Sequence, residues 1–260
     1  MAYSPDFRAS PRVAAGVAQA AALDQGLRAY MLRVYNWMAS GLVLTAIVAY
    51  AVANTGLREA FYQPVANQFG QIMLRPTPLA MICMIAPLGF VMVLSFGINR
   101  LSRSTAQALY WGFCGVMGAS LANIFLVYAQ SSIATTFFIT AGTFAAMSIW
   151  GYTTRKNLAG MGSFLMMGLF GIILASLVNL FVHASGLQCV INILGVVIFT
   201  GLTAWDTQRM KVNYLNYAYA EGPEQAAKRS VYDALSLYLN FINLFMMLLQ
   251  LTGGGRSSNN

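Results

Sequence analysis

A chain of 260 residues with 58% hydrophobic and 8% charged residues, at a mean hydropathy of +0.62, lies far from a soluble globular average of about 25% charge. This excludes a soluble domain and leaves a polytopic membrane protein, one compact bundle of spans about 20 residues long, the length that a roughly 30 Å hydrocarbon core requires. The net charge of +8 does not indicate nucleic acid, because the basic residues sit in short loop clusters with no interleaved exposed aromatics.

Residues 1–29 are mixed in character. Arg8 and Arg12 precede an Ala-rich stretch, Val13–Leu23, with the outline of a signal peptide. That stretch is weakly hydrophobic, contains Gln19 and is followed by Asp24. It reads as an uncleaved cytoplasmic extension. Residues 30–252 form the membrane domain and 253–260 a flexible Gly-rich tail.

Seven apolar runs predict seven spanning helices: Met31–Ala53, Pro78–Ile98, Gln107–Ala129, Ile133–Tyr152, Met161–His183, Gln188–Trp205 and Val231–Leu251. Pro87 predicts a kink in the second, since its ring removes one helical hydrogen bond. The connections after the third and fifth runs are only a few residues long, so those helices are antiparallel neighbours. Gly115, Gly118, Ala119 and Ala122 on the third helix, and Gly168, Gly171 and Ala175 on the fifth, predict close helix packing. Trp37, Tyr110, Trp111, Trp150, Tyr152 and Trp205 lie near run ends, as interfacial anchors do.

Alternating the connections from the N-terminus puts twelve Lys and Arg on one side and three on the other. The positive-inside bias then predicts a cytoplasmic N-terminus.

The last run carries Asp233, Ser236, Asn240, Asn243 and Gln250. Spacings of 3, 4, 3 and 7 place them on one stripe of a helix. Facing lipid, such a stripe is costly, so it is expected to line the bundle interior or a wet cavity. The sixth run ends in a second acid, Asp206. Either acid reads as a helix-end charge meeting water or pairing with Arg209, Arg100 or Arg103, or else as a proton-sensitive gate or cation ligand. Desolvation disfavours a carboxylate's ionised form, and protonation releases a bound arginine. The oxygens of Ser236, Asn240 and Asn243 suit a hard cation such as calcium, or simple hydrogen bonding between helices.

Cys83, Cys114 and Cys189 have no metal-ligand spacing, and a single His183 adds no set. No spanning lysine is available for a Schiff base, and no P-loop, HExxH or GxSxG motif is present. Enzymatic activity and a bound cofactor are not expected.

Ala204-Trp205-Asp206-Thr207-Gln208, the string Ala234 to Phe245 (ALSLYLNFINLF), Ser95 to Arg100 (SFGINR) and Gly151 to Arg155 (GYTTR) together resemble the Bax inhibitor-1 family, also called the transmembrane Bax inhibitor motif or YccA-like family, in its bacterial form. The resemblance runs from about residue 30 to 252. It implies an all-α, seven-helix membrane bundle in the bacterial inner membrane, with the last helix central and wrapped by six others. It also implies a pH-sensitive calcium leak, latched by an aspartate pair between the sixth and seventh helices. The first aspartate falls on Asp206 and the second on Asn240, where this chain departs from the pattern. Asp206 and Asn240 are thus expected along the calcium path, with Arg100 and Arg103 as candidate counter-ions from loop position. Some bacterial relatives resemble binding regulators of a membrane-anchored ATP-dependent protease, an alternative in which residues 1–29 make the contact.

Overall fold

The structure, a computed structural model, describes residues 11–66, 72–97 and 101–253, with side chains described outside 11–21, 66, 72–73 and 217–224. Arg8, Arg100 and the tail 254–260 lie outside the described residues. The elements are α1 (Pro11–Asn54), α2 (Leu57–Phe61), β1 (Tyr62–Ala66), β2 (Ile72–Pro76), α3 (Pro78–Gly97), α4 (Arg103–Leu121), α5 (Asn123–Val127), α6 (Gln130–Thr153), α7 (Ala159–Val182) and α8 (Ser185–Thr252). Among the described residues, seven stretches are long and apolar enough to cross a membrane: Ala22–Asn54, Pro78–Gly97, Arg103–Val127, Gln130–Thr153, Ala159–Val182, Ser185–Asn216 and Gln225–Thr252. The protein is an all-α multi-span membrane protein.

Local chemistry sets the helix ends. Ser102 caps α4 by accepting from Thr105 N at 3.2 Å, which satisfies an otherwise orphaned N–H. Thr77 does the same for α3, accepting from Ala80 N at 3.4 Å while its hydroxyl donates to Ala60 O at 2.7 Å. Pro78 then opens the helix at the position where a missing N–H costs nothing. Pro87 sits inside α3, which remains one helix from Pro78 to Gly97. His183 ends α7 in the left-handed region (φ 54°), and its N–H closes on Asn179 O at 2.8 Å.

A hairpin between the first two spans was not expected from the sequence. β1 and β2 pair antiparallel, Tyr62 opposite Pro76 and Val65 opposite Met73. Pro64 inside β1 argues against a strand, and a lone two-stranded hairpin is marginal in water. Its anchor is Tyr62, buried with Val52, Ala119 and Ala122. That burial pushes the Tyr62 phenol above its usual range.

The sixth and seventh spans share α8. Thirty-four residues separate Asp206 from Asn240, about 51 Å along a straight helix, yet their side chains meet at 2.7 Å. The arms Ser185–Asn216 and Gln225–Thr252 are therefore antiparallel. The second arm is the axis of the bundle: 56% of its spanning window is buried, against 17–39% for the other six spans. α1, α4, α6 and α7 all pack on α8, and its Leu237, Tyr238 and Leu249 are fully buried.

Small residues admit these approaches. A Cβ on Gly118 would lie 2.6 Å from Thr45 O of α1, and one on Gly151 of α6 would overlap Ala204 O of α8. Gly168 abuts Ile198 as expected, whereas Gly171 and Gly115 have open space beside them. Tyr110 is a further correction. It is fully buried rather than interfacial, because its hydroxyl finds Trp37 O at 2.9 Å and its ring meets Trp37 edge-on.

Candidate functional site

The polar stripe of the last span does not act as one unit. Its residues divide among three neighbours, and the middle group surrounds Asp206. This carboxylate is 4% exposed. Its Oδ2 accepts from Asn240 Nδ2 at 2.7 Å and from Ser236 Oγ at 3.0 Å, both on the opposite arm. Arg209 Nη2 lies 2.8 Å from Oδ1 as an ion pair and donates to Ser236 Oγ at 3.4 Å. Arg209 follows Asp206 by three residues, so both project from one face of the same turn. Its guanidinium also covers the Trp205 ring, 4.9 Å from the centroid. A buried carboxylate is tolerated here because a cation and two donors replace its water.

Of the three arginines expected as partners for the acid, Arg209, Arg100 and Arg103, it is Arg209 that pairs with Asp206. Arg100 lies outside the described residues. Arg103 is exposed at the first residue of α4. A cation on the acid's own helix turn needs no loop to reach it. The i, i+3 spacing was readable in the sequence.

Asp233 belongs to a separate contact. Tyr30 of α1, 6% exposed, donates its hydroxyl to Asp233 Oδ2. The partner lies 203 residues away in sequence, and no pattern in the chain announces it. α1 runs unbroken through the expected boundary at residues 29 and 30, and Leu27 joins the main core. Asn243 points elsewhere, donating to Leu239 O of its own helix at 2.9 Å.

At the opposite end of α8 a second polar cluster forms. Gln188 Nε2 donates to Asn192 Oδ1 and Gln250 Oε1, each at 3.0 Å, and Asn179 Nδ2 of α7 donates to Gln188 Oε1 at 3.0 Å. Between the two polar clusters lies an apolar layer of Leu165, Phe199, Leu202 and Leu244. Leu244 is fully buried and Leu202 is 2% exposed. The seam between the arms therefore reads polar, largely apolar, polar, with the buried hydroxyls of Thr200 and Thr203 beside the apolar layer. Among the described residues no group of His, Cys, Asp or Glu could by itself hold a metal ion.

The sequence profile described as "Inhibitor of apoptosis-promoting Bax1" matches residues 27–257. The chain belongs to the Bax inhibitor-1 family. The match takes in six of the seven spans whole and the first from residue 27, so the family resemblance is a property of the whole bundle. A protein of Caulobacter vibrioides is 44% identical over 237 residues, covering 90% of this chain and 92% of that protein. The Escherichia coli K12 protein named "Inner membrane protein YbhL" is 42% identical over 232 residues, covering 89% and 94% respectively. RP147 of Rickettsia prowazekii is 42% identical over 233 residues. In this Bax inhibitor-1 member, Asp206 and Asn240, the pair singled out from the sequence resemblance, are in direct contact.

Proposed function

We propose that this chain is a calcium-permeable leak channel or passive cation transporter of the bacterial inner membrane, with its N-terminus in the cytoplasm. The arrangement described above is its closed form. Ions would pass along the seam between the two arms of α8. One observation carries this reading: the seam has a buried, charge-bearing polar cluster at one end and an amide cluster at the other, separated by an apolar layer of leucine and phenylalanine. Hydrophobic constrictions of that kind block ions by excluding water.

Asp206 has two roles in this reading. Ionised, it holds Arg209, Ser236 and Asn240 and locks the arms together. Neutralised, it would release Arg209 and weaken the lock. Asn240 cannot titrate, so the proton response involves a single carboxylate and not a proton shared between two. A weak pH response is therefore expected, along with retention of the closed contact over the physiological range. Calcium flux into proteoliposomes at several pH values, native protein against Asp206→Asn, tests the reading. A raised and pH-flat leak in the variant supports it. Identical profiles overturn it.

The reading as a binding regulator of a membrane-anchored protease rests on residues 1–29, which carry Arg8, Arg12 and Asp24 and precede the long apolar run from Met31. Deleting residues 2–20 leaves Leu27 and Tyr30 in place. Loss of protease inhibition with calcium flux intact would favour that second reading.

A further inference from the structure

α1 and α6 both pack on α8 but barely on each other. Two cavities, of about 720 Å³ and about 420 Å³, fill the gap between them and share Leu42, Ala46, Phe137 and Phe241 as walls. They therefore form one groove. On α1 it runs from Arg28 to Tyr50, about 33 Å of helix, against a hydrocarbon thickness of roughly 30 Å. Its floor is aromatic: Phe241 of α8 meets Phe137 and Phe144 of α6 edge-on, with centroids 5.6 and 5.5 Å apart.

The two ends differ. No acid lines either cavity. At one end Arg28 lines the mouth, exposed and paired with no acid among the described residues. Lys211 reaches the same end from α8, with its Nζ donating to Tyr152 O at 2.8 Å and lying 5.0 Å from the Tyr152 ring centroid. One helical turn below Tyr152, Ser148 belongs to the groove wall. It is 5% exposed, and its hydroxyl has no partner among the described residues. Rotation about χ1 between staggered wells can offer that hydroxyl to the groove.

From this arrangement we propose that the groove binds one anionic phospholipid, its phosphate between Arg28 and Lys211, an ester carbonyl on Ser148 and its acyl chains along the phenylalanine floor. The order of chemistry along the groove (cation, then hydroxyl donor, then aromatic and aliphatic wall) is the order of groups along a phosphoglyceride. A bilayer-length slot open to the side admits a lipid without desolvating a headgroup, which stays at the interface. Cationic pockets between spans take anionic headgroups by the same electrostatics. A zwitterionic headgroup brings a positive charge that these two cations repel. The site is separate from the seam between the arms of α8, so it stands or falls independently of the transport reading.

Native mass spectrometry of the full chain, released from vesicles of equal phosphatidylglycerol and phosphatidylcholine, tests the proposal. The expected result is a retained phosphatidylglycerol adduct in preference to phosphatidylcholine. Arg28→Ala is expected to lower that preference about tenfold, the effect of losing about 1.4 kcal/mol of binding. Ala145→Trp, at an exposed position on the α6 wall, is expected to abolish the adduct by filling the groove. Ala39→Trp does the same from the α1 wall and replaces it if the first variant fails to fold, as judged by thermal melting. Equal retention of both lipids overturns the proposal, as does an adduct that survives the tryptophan variants. So does a dimer whose dissociation tracks them, which would identify a second copy as the occupant.

Discussion

Asn240 donates to Asp206 across the two arms of α8 at 2.7 Å, in the position where the resemblance drawn from the sequence implies a second carboxylate. An amide there satisfies Asp206 without competing with it for a proton. Restoring the carboxylate should reverse that situation. Two carboxylates at this distance cannot both stay ionised cheaply and would share one proton. Asn240→Asp is expected to make calcium flux in liposomes depend more steeply on pH, with the greater leak on the acidic side, where protonation frees Arg209. A profile superimposable on the native one would remove Asn240 from the account of gating.

The apolar layer gives a second expectation. Leu244 is fully buried against Leu165, Phe199 and Leu202. Leu244→Ala deletes a side chain that fills the seam and leaves a cavity there. It is expected to cost about 2–5 kcal/mol of stability and to raise basal calcium flux at every pH. A melting temperature lowered as expected, with flux unchanged, would mean the layer is packing only.

Tyr30 and Asp233 tie α1 to the central arm. Tyr30→Phe removes the donor and keeps the ring, leaving a partly buried carboxylate one hydrogen bond short. The expected loss is about 1–3 kcal/mol, read as a lower midpoint in thermal unfolding in detergent. Asp233→Asn should restore part of it in the double variant, since a neutral amide left without that partner is less costly than a charge. Additive losses in the pair would show that the two residues act separately.

Gly151 touches the backbone of Ala204 with no room for a methyl group. Gly151→Ala is expected to push α6 from the first arm of α8, two residues before Asp206, at a cost of about 1–3 kcal/mol. Gly171→Ala, with open space around it, is expected to leave stability unchanged or raise it slightly through helix propensity. Comparing the two by thermal melting separates close approach from glycine content.

Composition and hydropathy determined that this is a membrane bundle with seven spans; each expected run falls on one observed span, but the first span begins at Ala22 instead of Met31 and the sixth extends to Asn216 instead of Trp205. The reason is that the bilayer admits few solutions: backbone groups in hydrocarbon must be paired internally, so a long apolar run is a helix. Local spacing also determined which residues share a helix face, including Asp206 with Arg209. What the linear chain could not express was which face meets which neighbour. Tyr30 and Asp233 stand 203 residues apart, whereas the pairing of Asp206 with Asn240, 34 residues apart, was expected only through the resemblance and not from spacing. The hairpin of β1 and β2 depends on Tyr62 finding a buried site between α1 and α4. The stripe on the last span was one feature in sequence and was divided in space: Asp233 meets Tyr30 of α1, Ser236 and Asn240 meet Asp206, Gln250 meets Gln188, and Asn243 bonds to its own helix. Only packing around the central arm of α8 decided those partners, since in a bundle the contacts of a polar residue depend on helix rotation and neighbour identity, and neither is encoded within a single span.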